Sequence, residues 1–162
     1  YIMTFRIQRI RDVPMEPNLL IIVPCGKHKI WENDPGRGAT PAREAYTSPT
    51  FTANRAFAER HGDAWLILSA KYGFISPGFL IPQSYDVTFY RPETAPISYQ
   101  ALTAQVRNQN LGRFRRVICL GDRAYCDAVT AAFSGTDARL EFPLLHSESA
   151  EAGIAFLETY VP

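Results

Sequence analysis

Residues 65–75 read "WLILSAKYGFI", and the reading of this stretch decides the fold. Trp65, Leu66, Ile67 and Leu68 form a short apolar run with no polar face. That is the pattern of a strand covered on both sides, as strands of parallel sheets are. A serine, a lysine, a tyrosine and a glycine follow at once. In α/β proteins the loops at the carboxyl ends of such strands hold ligands, so Ser69, Lys71 and Tyr72 become candidates for a site.

The flanking segments repeat the pattern. "LLIIV" (19–23), broken by Pro24 and opened by Gly26, and "RVICLG" (116–121) are apolar strands, and "LEFPLL" (140–145) is a poorer one because Pro143 interrupts it. Between them lie helical segments. One helix start is predicted at Thr40-Pro41 and another at Ser48, an N-cap with Pro49 in the first helical position. The second leads into a helix stopped by Gly62, with Phe51, Ala53, Ala56 and Phe57 toward the core. "SYQALTAQVRNQNLG" (98–112) reads as a helix closed by Gly112. In "DRAYCDAVTAAF" (122–133) Ala124, Ala128, Val129, Ala132 and Phe133 share one face, and "AEAGIAFLETY" (150–160) is the last helix. "PGFLIPQSYDVTFYRPETAPIS" (77–98), with four prolines, reads as an extended excursion across the surface. Alternating strands and helices predict an α/β fold, a mainly parallel sheet with helices on both faces, as a single domain over 19–162. Residues 1–18 read as an N-terminal arm or edge strand.

Composition bounds the function. The chain has 162 residues, 46% hydrophobic and 20% charged, with a net charge of +1. It can bury a core without staples, and it carries no global charge to attract nucleic acid, so any such binding rests on a local patch. No apolar run approaches the ~20 residues that cross a bilayer and no signal peptide is evident, which predicts a cytoplasmic protein without membrane contact. Cys25, Cys119 and Cys126 are odd in number and lack paired spacing, so neither a disulfide framework nor a zinc site is indicated. His28, His61 and His146 are too dispersed for a metal centre.

If the strands are parallel, "PCGKHK" (24–29), "SAKYGF" (69–74) and "GDRAY" (121–125) share one rim of the sheet. Lys27, Lys29 and Lys71, each alone most simply a solvated lysine, would together attract phosphate or another anion, with Arg43 arriving from the adjoining helix. The loop lacks the GxxxxGK[ST] spacing of a nucleotide triphosphatase. Cys25 is either a thiol activated by neighbouring lysines or a small residue required by packing. Asp86, flanked by Tyr85 and Val87, is either a partly desolvated base or a turn residue. Asp122 opens a helix and is first of all an N-cap. "RFRR" (113–116) precedes a strand and falls at the opposite rim.

"LIIVPCGKHK", "PAREAYTSPTF", "WLILSAKYGFISP" and "YDVTF", in that order, resemble a family of small bacterial and phage domains of uncharacterised function related to YaaA, the peroxide-stress protein. The resemblance spans roughly residues 19 to 125. It implies DNA as a partner, no cofactor, and a site built from Cys25, Lys27, Arg43, Tyr46, Ser69, Lys71, Tyr72, Gly73, Tyr85 and Asp86. YaaA is associated with protecting DNA from oxidative damage, and some similar small defence proteins are DNA glycosylases acting on modified phage bases. The first expectation is therefore hydrolysis of an N-glycosidic bond in DNA, needing a carboxylate near the sugar (Asp86, then Asp122), cations for the phosphates, an aromatic wall (Tyr46, Tyr72, Tyr85 or Trp31) and no metal. The alternatives are a non-catalytic DNA-binding or damage-sensing module and an enzyme on a free nucleotide or nucleoside.

Overall fold

The computed structural model describes residues 18–162, so the expectation for an arm over 1–18 lies, but for Asn18, outside the described residues. Five strands form one sheet, in the spatial order 73–75, 64–69, 19–24, 116–119 and 139–141. Strands β1 (Leu19–Pro24), β3 (Ala64–Ser69), β6 (Arg116–Cys119) and β7 (Arg139–Glu141) run parallel, and β4 (Gly73–Ile75) is an antiparallel edge strand. The predicted α/β architecture is the one observed.

The central strand shows why its sequence does not alternate. Leu19, Ile21 and Val23 point into one apolar cluster with Phe51, Phe57 and Leu157; Leu20 and Ile22 point into the other with Leu102, Val106 and Val129. Helices α2 (Pro49–His61) and α5 (Ala150–Thr159) therefore cover one face, and α3 (Tyr99–Asn108) and α4 (Arg123–Ala132) the other. Each such aliphatic side chain taken fully from water stabilises the fold by about 1.5–3 kcal/mol.

Local chemistry fixes the helix starts. The Ser48 hydroxyl accepts from the Phe51 N–H, Ser98 from Ala101, Asp122 from Ala124 and Ser149 from Ala152, which satisfies amides that the first helical turn leaves without partners. Thr40-Pro41 opens only a four-residue helix, α1 (Ala42–Ala45). Two expected details differ. In α2 the buried positions are Phe51, Asn54, Phe57 and Ala58, while Ala53 is half-buried and Ala56 exposed. Helix α3 ends at Asn108, before the Gly112 expected to close it, and Asn110, at φ 52°, makes a left-handed turn there.

The excursion over 77–98 is anchored at both ends. Its β5 (Leu80–Ile81) pairs with β2 (Thr40–Pro41), and the Ile97 N–H donates to the Ala70 carbonyl at 2.7 Å. Among the described residues no helix is long and apolar enough to cross a membrane.

Candidate functional site

Strand β1 is followed by α2 on one face of the sheet, whereas its neighbour β6 is followed by α4 on the other. The connections that follow the two strands part at the carboxyl ends, and open α/β sheets bind ligands in such a crevice. A cavity of about 910 Å³ lies there, bounded by the loops after β1 and β6, the starts of α2 and α5, and residues 86–91 of the excursion. Gly121 keeps the two loops in contact. A Cβ on it would lie 2.6 Å from Tyr125 Cβ and 2.9 Å from Pro24 Cγ, closer than side chains pack.

Five sequence-predicted residues line this cleft: Cys25, Lys27, Lys29, Asp86 and Asp122. The Cys25 Sγ is 3.3 Å from the Tyr125 hydroxyl. Lys27 is exposed at the rim, but Lys29 is only 5% exposed, its ammonium 4.5 Å from the Tyr85 ring centroid and 6.0 Å from that of Tyr46. Burial lowers the pKa of Lys29 because the charged form loses water.

Both carboxylates already have partners. Asp86 is exposed, and the Arg91 guanidinium donates to both of its oxygens at 2.9 Å, which holds its pKa below the usual carboxylate range. A desolvated base was one reading of this aspartate; the structure places it in water as an ionised group. Asp122 caps α4 and accepts from the Tyr90 hydroxyl.

Behind Lys29 runs a buried chain of hydroxyls. Ser69 Oγ is 2.8 Å from the Tyr85 hydroxyl, which is 2.5 Å from that of Tyr46. Ser69 Oγ also accepts from the backbone N–H groups of Lys71 and Tyr72, both at 3.1 Å. Burial pushes the pKa of both tyrosines upward, so they remain neutral phenols.

The stretch "SAKYGFI" is therefore a correction to the sequence reading. It turns back as a hairpin, Ser69 pairing with Gly73, and so does not join the loops after β1 and β6 in lining the cleft. Lys71 and Tyr72 do not line the cleft. Lys71 Nζ is 5.2 Å from the Tyr72 ring centroid, and Tyr72 packs edge-on against Tyr85 at 5.5 Å. Arg43 also stands apart, beside Glu44 and α2. Trp31 is a buried core residue whose Nε1 donates to the Arg37 carbonyl at 2.8 Å, so it offers no wall to the cleft. At the opposite edge Arg113 and Arg116 serve structure, donating to Asn110 and to Glu141.

Several lining residues have no motif to announce them. Thr50 and Asn54, one turn apart on α2, face the cleft with Ser147 and Ser149 near α5. Asn54 donates from Nδ2 to the Leu120 carbonyl at 3.3 Å, and its buried Oδ1 has no partner among the described residues. That α2 begins at this rim follows from parallel topology. Arg91 and Tyr90 lie in the aperiodic excursion, where only proximity to Asp86 hints at a role.

The profile of a family described as DUF6884, a family of unknown function, matches residues 20–157. The chain belongs to DUF6884. The span contains every residue of the cleft named above, so the expectation of a small family of uncharacterised function holds in that form. Uncharacterized protein YfjM of Bacillus subtilis (strain 168) is 33% identical over 138 residues, which cover 85% of this DUF6884 chain and 89% of that protein. The crystal structure of AF0587, a protein of unknown function, aligns with a TM-score of 0.48 at 15% identity over 88% of this chain and 43% of the other, less than half its length.

Proposed function

We propose that this DUF6884 protein is a nucleobase-handling hydrolase that cleaves the N-glycosidic bond of a modified base in DNA, acting in the cytoplasm against phage DNA. The observation that carries the reading is the switch-point cleft, which gathers Lys27, Lys29 and Arg91 with the carboxylates of Asp86 and Asp122 around about 910 Å³. A nucleoside-sized ligand fits that space. The motif resemblance to YaaA-related domains points the same way.

The residues divide the work. Lys27 and Arg91 at the rim attract the backbone phosphates on either side of an extruded nucleotide. As the C1′–N bond breaks, its electron pair leaves with the base, and C1′ develops oxocarbenium character. The ionised Asp86 stabilises that charge and takes a proton from the water that attacks C1′. Its bond to Arg91 sets its orientation.

The same Asp86–Arg91 pair favours one other reading, a DNA-binding or damage-sensing module in which the carboxylate only orders Arg91 against a phosphate. Incubation with DNA containing ordinary, hydroxymethylated and glucosylated cytosine, then alkali and gel separation, decides between them. Breaks confined to one base and absent in Asp86→Asn, with binding retained, establish the glycosylase. Intact strands with retained binding establish the module. Competition by free nucleosides or nucleotides without any cut in DNA moves the substrate to the small molecule.

A further inference from the structure

Lys29 is an unusual residue to find in this cleft. It lines the cavity and is only 5% exposed, whereas Lys27 two residues earlier is in water. A buried ammonium is normally paired, yet among the described residues no carboxylate lies within 4.0 Å of Lys29. The two carboxylates whose charge acts on it are committed elsewhere, Asp86 to Arg91 and Glu32 to His28 at 3.1 Å. The hydrogen-bond partner of its Nζ is the Lys27 carbonyl at a long 3.3 Å, so other donor positions of the nitrogen remain open. The Tyr85 ring beneath it, tied through Ser69 to the turn after β3, holds the side chain in place.

A desolvated lysine in a cleft is the form in which the amine becomes a nucleophile toward carbonyl carbon. We propose that Lys29 forms a Schiff base with the C1′ aldehyde of the abasic sugar left after the base is removed. This rests on the glycosylase reading of the same cleft. Hydrolysis leaves a 2-deoxyribose whose ring-opened form carries an aldehyde at C1′. The neutral Nζ gives its lone pair to C1′, the carbonyl oxygen takes up both amine protons and leaves as one water, and a carbon–nitrogen double bond remains. No oxidant, reductant or metal enters the step. The burial that lowers the pKa of Lys29 raises the fraction of neutral amine available.

The test uses an abasic site made beforehand, so it does not require this protein to remove any base. The full chain is incubated with an oligonucleotide carrying one such site, in the presence of sodium cyanoborohydride, which reduces an imine to a stable secondary amine. The expected result is a protein–DNA adduct on a denaturing gel, mapped by mass spectrometry to the peptide containing Lys29. It should fall at least tenfold in Lys29→Arg, which keeps the charge but forms no such imine, and persist in Lys71→Ala, altered outside the cleft. Melting curves of both variants confirm folding. An adduct mapped to Lys27 or Lys71, or no adduct while the DNA is still bound, overturns the proposal. Failure of the glycosylase reading shows separately, as uncut DNA in the base-containing assay, and leaves the trapping result legible.

Discussion

The ammonium of Lys29 stands 4.5 Å from the centroid of the Tyr85 ring with no carboxylate beside it among the described residues. A ring face attracts a cation by about 0.5–2 kcal/mol, most where both are desolvated, but desolvation outweighs every favourable charge around Lys29, because the net effect is a lowered pKa. The folded chain therefore binds this proton less readily than the unfolded one does. The penalty is fully present below the folded pKa and is relieved as pH rises from there toward the ordinary lysine value of 10.5. Lys29→Met should raise Tm at neutral pH, with the gap closing in melts near pH 10. A Tm lowered at pH 7 contradicts this account of Lys29.

Tyr85 joins Ser69 to Tyr46 through one hydroxyl. Tyr85→Phe removes a partner from both while all three remain buried. An orphaned buried polar group costs about 1–3 kcal/mol, and the ring that supports Lys29 is kept. The expected outcome is a lowered denaturant midpoint with an unchanged slope. Because Tyr46→Phe loses the same 2.5 Å contact, the double variant should cost less than the two single losses added, by about 1 kcal/mol.

Much of this architecture was legible for a simple reason. Leu19 to Val23 and Val117 to Cys119 are apolar on both faces because both faces are covered, and Ser48 and Asp122 signal helix starts through local chemistry. The rim loops after β1 and β6 followed from topology, which brought Cys25, Lys27, Lys29 and Asp122 together. "SAKYGFI" misled because strand β3 looks the same whether a helix or a hairpin follows it. Only the three residues between Ser69 and Gly73, a hairpin spacing, mark the difference. Asp86 was found as a candidate, but its partner Arg91 lies in a segment without period, where a sequence carries no information about which side chains meet.

That hairpin makes its own prediction. Gly73 has φ +75°, and Gln105 clamps the turn around it, accepting from the Phe74 N–H at 2.8 Å and donating to the Tyr72 carbonyl at 2.9 Å. A Cβ at position 73 would run into the Gln105 amide. Gly73→Ala combines left-handed strain of about 1–2 kcal/mol with loss of the clamp, and it should lower stability by roughly 2–4 kcal/mol in denaturant melts. Gln105→Ala should cost less, and adding it to Gly73→Ala should cost little more, since the clamp is lost only once.

Arg116 and Glu141 close the sheet between β6 and β7, the guanidinium donating to the two carboxylate oxygens at 2.9 and 3.0 Å. Their side chains are 26% and 17% exposed, so solvent screens the pair only partly. The bond from Arg116 lowers the pKa of Glu141 from the ordinary 4.5. A depressed carboxyl contributes stability that is present above the unfolded pKa and lost as pH falls through the folded one. At neutral pH Glu141→Gln should cost about 1–2 kcal/mol, between the values for surface and buried pairs. Melts recorded from pH 7 downward should show the wild-type curve falling more steeply below about pH 4.5, until the two proteins converge. Parallel curves over that range would assign the acid sensitivity to other carboxylates and leave the Arg116–Glu141 pair a matter of geometry alone.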